Sequence, residues 1–222
     1  MSRIIYTARV VSTEDPDGLG RVQVALDGFE TSLDLPWIRL VGPYASKGFG
    51  AVFLPEEDDE VVLLQGDGDG LDQMLCLGSV YNGARKPNYS NEDGDNNVKE
   101  IRTRSGHAIV FNDKDGEETL TVQSPDAKLL MKFEQQDGRI TLNATGELLL
   151  DVTDGALSVR CKDATLEASG EIKVQGDSQI SVESQSSTIK VKAASSVEVQ
   201  SDTEVTVKAP TVSVSGSRVE LG

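Results

Sequence analysis

From Ile140 onward the chain repeats itself. Apolar residues open a unit at Ile140, Leu148, Leu157, Ala164, Ile172, Ile180, Ile189, Val197, Val205, Val212 and Val219, one unit every seven to nine residues. Within each later unit a partner follows two places on: Ile172/Val174, Ile180/Val182, Ile189/Val191, Val197/Val199, Val205/Val207, Val212/Val214 and Val219/Leu221. A spacing of i, i+2 puts both side chains on one face of a strand. The residues between them are Lys, Glu, Ser, Thr and Gln. Small or turn residues (Gly146, Gly155, Gly170, Gly176, Pro210, Gly216) punctuate the units.

Few folds accept such a pattern. A single-chain β-solenoid encloses its core in a coil of about 18–25 residues, whereas a unit of about eight residues is one short strand and a corner, and encloses nothing. Three successive units of one chain would make such a coil, but the units differ in no regular third-unit way, as three distinct walls would require. Three identical chains wound together fit better. Each chain then supplies one wall per layer, and every inward Val or Ile meets its symmetry copies on a threefold axis. The predicted trimer core is Ile172, Val174, Ile180, Val182, Ile189, Val191, Val197, Val199, Val205, Val207, Val212 and Val214. Burying roughly twenty aliphatic side chains per chain at about 1.5–3 kcal/mol each gives a gross drive of tens of kcal/mol that a monomer cannot realise. Folding and trimerisation are therefore expected to be one event. Winding also pairs strand edges that would otherwise invite aggregation, while Lys173, Glu183, Lys190, Glu198 and Glu220 keep the outer face charged. At one strand spacing of about 4.8 Å per unit, the rod is roughly 50 Å long.

The first half is built differently. All ten aromatic residues lie at or before Phe133. Short strands are predicted at Ile4–Ser12, Arg21–Leu26, Pro36–Val41, Ala51–Leu54, Glu60–Gln65 and Gln73–Val80. They are parted by the turns Asp15-Pro16-Asp17-Gly18, Asp27-Gly28, Lys47-Gly48 and Gly66-Asp67-Gly68-Asp69-Gly70. Five or six strands in about 80 residues suit a small closed barrel of the OB type. Asn82–Asn97 reads as a linker or exposed loop. Strands resume at Ile101, with Ser105–Phe111, Thr119–Val122 and Leu129–Phe133 divided by turns at Asp113–Gly116 and Gln136–Gly138. The expected class is all-β, and the expected divisions are an OB barrel over 1–84, a linker over 85–100, a strand neck over 101–139 and a triple-stranded β-helix over 140–222.

The charge of −16 argues against nucleic acid as a partner, since phosphate binding needs a basic face, and disfavours an anionic lipid surface. Cys76 and Cys161 stand far apart inside apolar runs, so neither a disulfide framework nor a zinc spacing is present, and buried free thiols are expected. The start MSRIIYTARVVST has no apolar h-region, and no run of 18 apolar residues occurs. The expectation is synthesis in the cytoplasm without a signal peptide.

Several motifs now combine. Gly20-Arg21-Val22-Gln23-Val24, Pro36-Trp37-Ile38-Arg39-Leu40 and Gly48-Phe49-Gly50-Ala51-Val52-Phe53-Leu54-Pro55, with Asp59-Glu60-Val61-Val62, Gly66-Asp67 and Gly78-Ser79-Val80-Tyr81-Asn82-Gly83, resemble the OB domain of VgrG proteins and phage baseplate assembly protein V. Ser105-Gly106-His107-Ala108-Ile109 and Asn112-Asp113 resemble the entry to that family's β-helix. The resemblance implies a homotrimeric spike beneath a contractile tube, with the OB domains at the hub end and the β-helix pointing outward into a target envelope. Arg3–Ser12 already reads as the first barrel strand, which implies a separate hub protein. The histidine pair that forms a metal-bound apex in some phage spikes has no counterpart, His107 being the one histidine, and there is no room for an inserted lysozyme domain.

Other sites read as structural. Asp67-Gly68-Asp69-Gly70-Leu71-Asp72 departs from a calcium loop at the fifth and twelfth positions. Glu56–Glu60 reads as a solvated turn, His107 lacks a second ligand nearby, and Trp37 is expected in the barrel core. No catalytic residue, metal site or cofactor is expected. A β-helical polysaccharide-degrading tail protein would need clustered carboxylates along a groove, and the repeat scatters its Asp and Glu. A trimeric tail fibre or adhesin would end in an aromatic-rich tip, whereas this chain ends SGSRVELG in repeat register. That blunt end, Ser217, Arg218, Val219, Glu220, Leu221 and Gly222, is the expected docking segment for a small PAAR-type tip protein, and effector cargo is a further possible passenger.

Overall fold

A computed structural model describes residues 5–26, 36–66 and 73–220. They contain no α-helix, and the structure is all-β. Among the described residues twelve strands occur: β1 Ile5–Ser12, β2 Arg21–Leu26, β3 Trp37–Leu40, β4 Ala45–Ser46, β5 Phe49–Gly50, β6 Glu60–Leu64, β7 Leu75–Ser79, β8 Val98–Arg102, β9 Ala108–Asn112, β10 Thr119–Gln123, β11 Leu129–Glu134 and β12 Arg139–Ala144. The described residues divide at Asp151/Val152 into two units.

Five strands close a barrel in the order β1-β2-β3-β7-β6, with β6 returning to β1. All neighbours are antiparallel except β3 and β7, which run parallel. This is a five-stranded Greek-key barrel of the OB type. Alternation builds its core: Ala8 and Val10 from β1, Val22 and Val24 from β2, Ile38 from β3, Val61 and Leu63 from β6, and Cys76 from β7 point inward with Met74. Irregularities between Val10 and Ser12 and between Val62 and Leu63 supply the bends that closure requires.

Three expectations are corrected here. Ala51–Leu54 is not a strand, because β1 already pairs with both β2 and β6 and a closed barrel offers no edge to another strand. Instead the hairpin β4–β5 forms across Lys47-Gly48. A Cβ at Gly50, whose φ is 151°, would stand 2.6 Å from the Tyr44 carbonyl oxygen, so only glycine closes this hairpin. Trp37 is half-buried and lies outside the core, since Ile38 takes the inward place and its neighbour alternates away. Cys76 is buried and free, but Cys161 is exposed in this chain. The expected turn at Asp27-Gly28, and Asp67 to Asp72, lie outside the described residues.

The strands β8 to β12 form a five-stranded antiparallel meander in chain order. β8 begins within the stretch expected to be a linker, and β12 holds Ile140 and Leu142, the first unit of the repeat. Its register lines up Lys99, Phe111, Leu120, Phe133 and Ile140 in one row, and Ile101, Ile109, Val122, Met131 and Leu142 in the next. Because alternate residues share a face, both rows lie on one side. The other side carries Glu100, Arg102, Thr121, Lys132, Glu134 and Arg139. The motif around Gly106 turns β8 into β9: its φ is +94° and a Cβ there would meet Pro125 at 3.0 Å, so the two turns at this end touch only because Gly106 has no side chain.

From Thr145 to Glu220 every residue is exposed and no strand pairing occurs among the described residues. The last backbone hydrogen bond runs from the Thr145 amide to the Lys128 carbonyl at 3.2 Å.

Candidate interaction surfaces

On the barrel, a single carboxylate holds the first turn together. Asp15 is 3% exposed in its side chain. It accepts hydrogen bonds from Arg21 Nη2 at 2.6 Å and Nε at 3.0 Å, and from the amides of Asp17, Leu19 and Arg21 at 3.0–3.1 Å. The Arg21 guanidinium, aided by these amides and opposed by burial, holds the carboxyl far below the usual carboxylate range. The motif Asp15–Arg21 is thus a locked loop: its acid is fully engaged in shaping the backbone.

The acidic run that follows is likewise committed. Glu56 pairs with Arg104 at 2.8 Å, Asp58 with Arg9 at 2.5 Å and Asp59 with Arg85 at 3.0 Å, and Glu60 accepts from the Asn82 side-chain amide at 2.8 Å. Each of these four carboxylates faces its own partner, and exposed pairs of this kind contribute little to stability. His107 is exposed at the β8–β9 turn. Among the described residues no group of three His, Cys, Asp or Glu side chains could hold a metal ion.

Three apolar surfaces lie open. The segment 41–55 carries Tyr44, Phe49, Val52 and Phe53, all more than half exposed, with the Tyr44 and Phe49 rings tilted 5.8 Å apart. Beneath it a cleft of about 420 Å³ is lined by Leu19, Leu40, Val41, Pro43, Leu54 and Pro55. Sequence reading took part of this segment for a strand and so missed the surface. The second is the apolar side of the meander, where a cleft of about 580 Å³ runs over Ile101, Ile109, Val122, Met131, Leu142 and Leu148. Its opposite side is mixed, with Val98, Ala108, Val110 and Leu130 beside two groups of ion pairs: Glu100–Arg102 at 2.7 Å, and Glu134 with Arg139 at 2.7 Å and Lys132 at 3.0 Å. Arg139, then Lys132, hold the Glu134 carboxyl down at about 2.

The third surface is the repeat. Its exposure pattern is regular although no strand pairs with it among the described residues. The leading residues Ile172, Ile180, Ile189, Val197, Val205 and Val212 are 50–55% exposed, and their partners Val174, Val182, Val191, Val199, Val207 and Val214 are 68–74% exposed. These six successive units thus expose their paired side chains to nearly the same degree. On the alternate face Ser181 bonds Glu183 at 2.9 Å, Gln200 bonds Glu198, and Arg218 pairs with Glu220. The apolar and polar faces predicted from i, i+2 spacing are therefore separate in space. In the expected docking segment Ser217, Arg218, Val219 and Glu220 are exposed, and Leu221 and Gly222 lie outside the described residues.

The described residues thus form a small closed barrel of the OB class followed by β-structure whose apolar side is exposed. Residues 6–81 match the family model described as the Type VI secretion system/phage-baseplate injector OB domain, a stretch that runs from β1 through β7. The barrel is thus similar to an injector OB domain, and the chain at the coarse level to a component of a phage or type VI baseplate. No curated protein matches the chain.

Proposed function

We propose that this chain is the central spike of a contractile injection machine, a homotrimer whose intertwined triple-stranded β-helix is a membrane-puncturing needle. The observation that carries the reading is the stretch from Thr145 to Glu220: a regular, wholly exposed, unpaired chain following a barrel similar to an injector OB domain. About seventy-five exposed residues with aliphatic side chains in a stripe are unstable alone, since no strand pairing joins them to other described residues and the stripe is uncovered. Two further copies, wound with it, supply both. The likeness to VgrG and baseplate assembly protein V agrees with this arrangement.

In this reading the trimer docks a separate hub protein at its barrel end and a PAAR-type tip at Ser217–Gly222, and carries effector cargo where the machine has any. The spike binds no nucleic acid, uses no cofactor and performs no catalysis; its work is mechanical. It joins the baseplate and is driven into the target envelope on contraction. Electron microscopy of the intact particle from the producing cells tests this. The reading expects density for the chain on the particle axis, below the end of the tube. Density at the periphery, in a fibre position, would contradict it.

A further inference from the structure

We infer that the stretch read as a linker is a stiff joint: residues 82–85 are clamped to the barrel, residues 88–97 to the meander, and only the hinge Lys86-Pro87 lies between them. The joint itself does not depend on the spike reading. Its use does: a push on the barrel passes to the rod without the barrel swinging.

The barrel clamp grows from the turn before β6. That turn is fastened to β1, where the Asp58 amide donates to the Val10 carbonyl and the Val10 amide to the Asp59 carbonyl, each at 2.9 Å. Two carboxylates of this anchored turn reach outward. Asp59, 22% exposed in its side chain, holds the Arg85 Nε at 3.0 Å, and Glu60 accepts from the Asn82 Nδ2 at 2.8 Å. Asn82 is engaged on its other side as well. Its Oδ1 accepts from the amides of Ala84 and Arg85 at 3.0 and 2.9 Å, and its own amide donates to the Arg85 carbonyl at 2.9 Å. A side chain that closes its own backbone turn, and is itself held by the start of β6, leaves residues 82–85 little freedom.

The meander clamp follows two residues later. Asn88 Nδ2 donates to Glu100 of β8 at 3.4 Å, and Glu100 is fixed in turn by Arg102 at 2.7 Å. Further on, Lys99 Nζ donates to the Asn96 carbonyl, and the Asp113 amide, just past β9, donates to the Asn97 carbonyl at 2.9 Å. The Asn96 amide donates to Asn91 Oδ1, which folds the loop back on itself.

The hinge is short and chemically stiff. Proline fixes its own φ and bars the residue before it from the helical region, so Lys86 and Pro87 have few shapes to choose from. A tether meant to swing is rich in Gly and Ser instead. Across the hinge Arg104, in the β8–β9 turn, pairs with Glu56 of the barrel turn at 2.8 Å. With side chains 82% and 55% exposed, that pair adds direction more than strength.

Trypsin on the whole chain tests the joint, because it cuts after Arg85 only when the segment around that bond lets go, whereas the proline blocks the bond after Lys86. Mass spectrometry times that cut against the same cut in a free peptide of residues 78–92. The wild-type chain is expected to be cut there at least about tenfold more slowly than the peptide, and Asn82→Ala to regain at least about tenfold with the barrel still folded. Asp59→Asn, which keeps an oxygen for the Glu56 amide, is expected to do the same and serves if Asn82→Ala does not fold. A wild-type chain cut less than tenfold more slowly than the peptide overturns the inference. So does a folded variant that falls short of the tenfold gain. Both results leave the spike reading standing, since that reading turns on the mass of the assembled chain.

Discussion

Val205→Asp is expected to abolish assembly, whereas Glu198→Lys seven residues earlier leaves it intact. Val205 leads its unit and lies on the apolar stripe. In a threefold prism one substitution is made three times in one layer, so three carboxylates are forced together in an apolar interior. Each costs several kcal/mol unless it takes up a proton, and their mutual repulsion adds to that. Glu198 lies on the alternate face, where it bonds Gln200, and surface changes of this kind move stability by about 0.5 kcal/mol or less. Light scattering and thermal melts of both variants read the difference. Equal mass and equal melting would show that the stripe has been assigned to the wrong face.

Deleting Ser217–Gly222 is expected to remove binding of a PAAR-type tip completely while trimerisation persists. The segment supplies one unit, Val219/Leu221, of eleven, and the remaining layers keep the three chains together. Val219 is 47% exposed in the chain, and an apolar strand edge at the end of a prism is both an aggregation hazard and a docking surface. Co-purification of the tip with full-length and shortened spikes reads this. Retained tip binding would move the docking site elsewhere, and loss of the trimer would make this last unit the clasp of the rod.

Where local pattern alone decides structure, the sequence was readable. Arg21–Leu26 occupies its predicted range because Val22 and Val24 alternate inward after the turn at Asp15–Gly18, and the meander strands follow the same rule. Ala51–Leu54 was not readable, because whether an apolar run becomes a strand depends on a free edge, and barrel closure is a long-range fact. Trp37 has the composition of a core residue, but the parity of β3 gives the inward place to Ile38. Cys161 shares its parity with Leu157 and Val159, and like them it is exposed, so its apolar surroundings in sequence do not become a buried site within the chain. The two-faced character of the meander was visible in Ile109/Phe111, Leu120/Val122 and Leu129/Met131/Phe133, yet only the register shows that these pairs align into continuous rows.

The central claim is that three chains share one rod. Light scattering on the purified full-length chain, repeated over a range of dilutions, tests it most directly. The expected mass is three times the 23.8 kDa of the chain, unchanged on dilution until the fold itself is lost. A folded species of 23.8 kDa, stable in buffer, would contradict it.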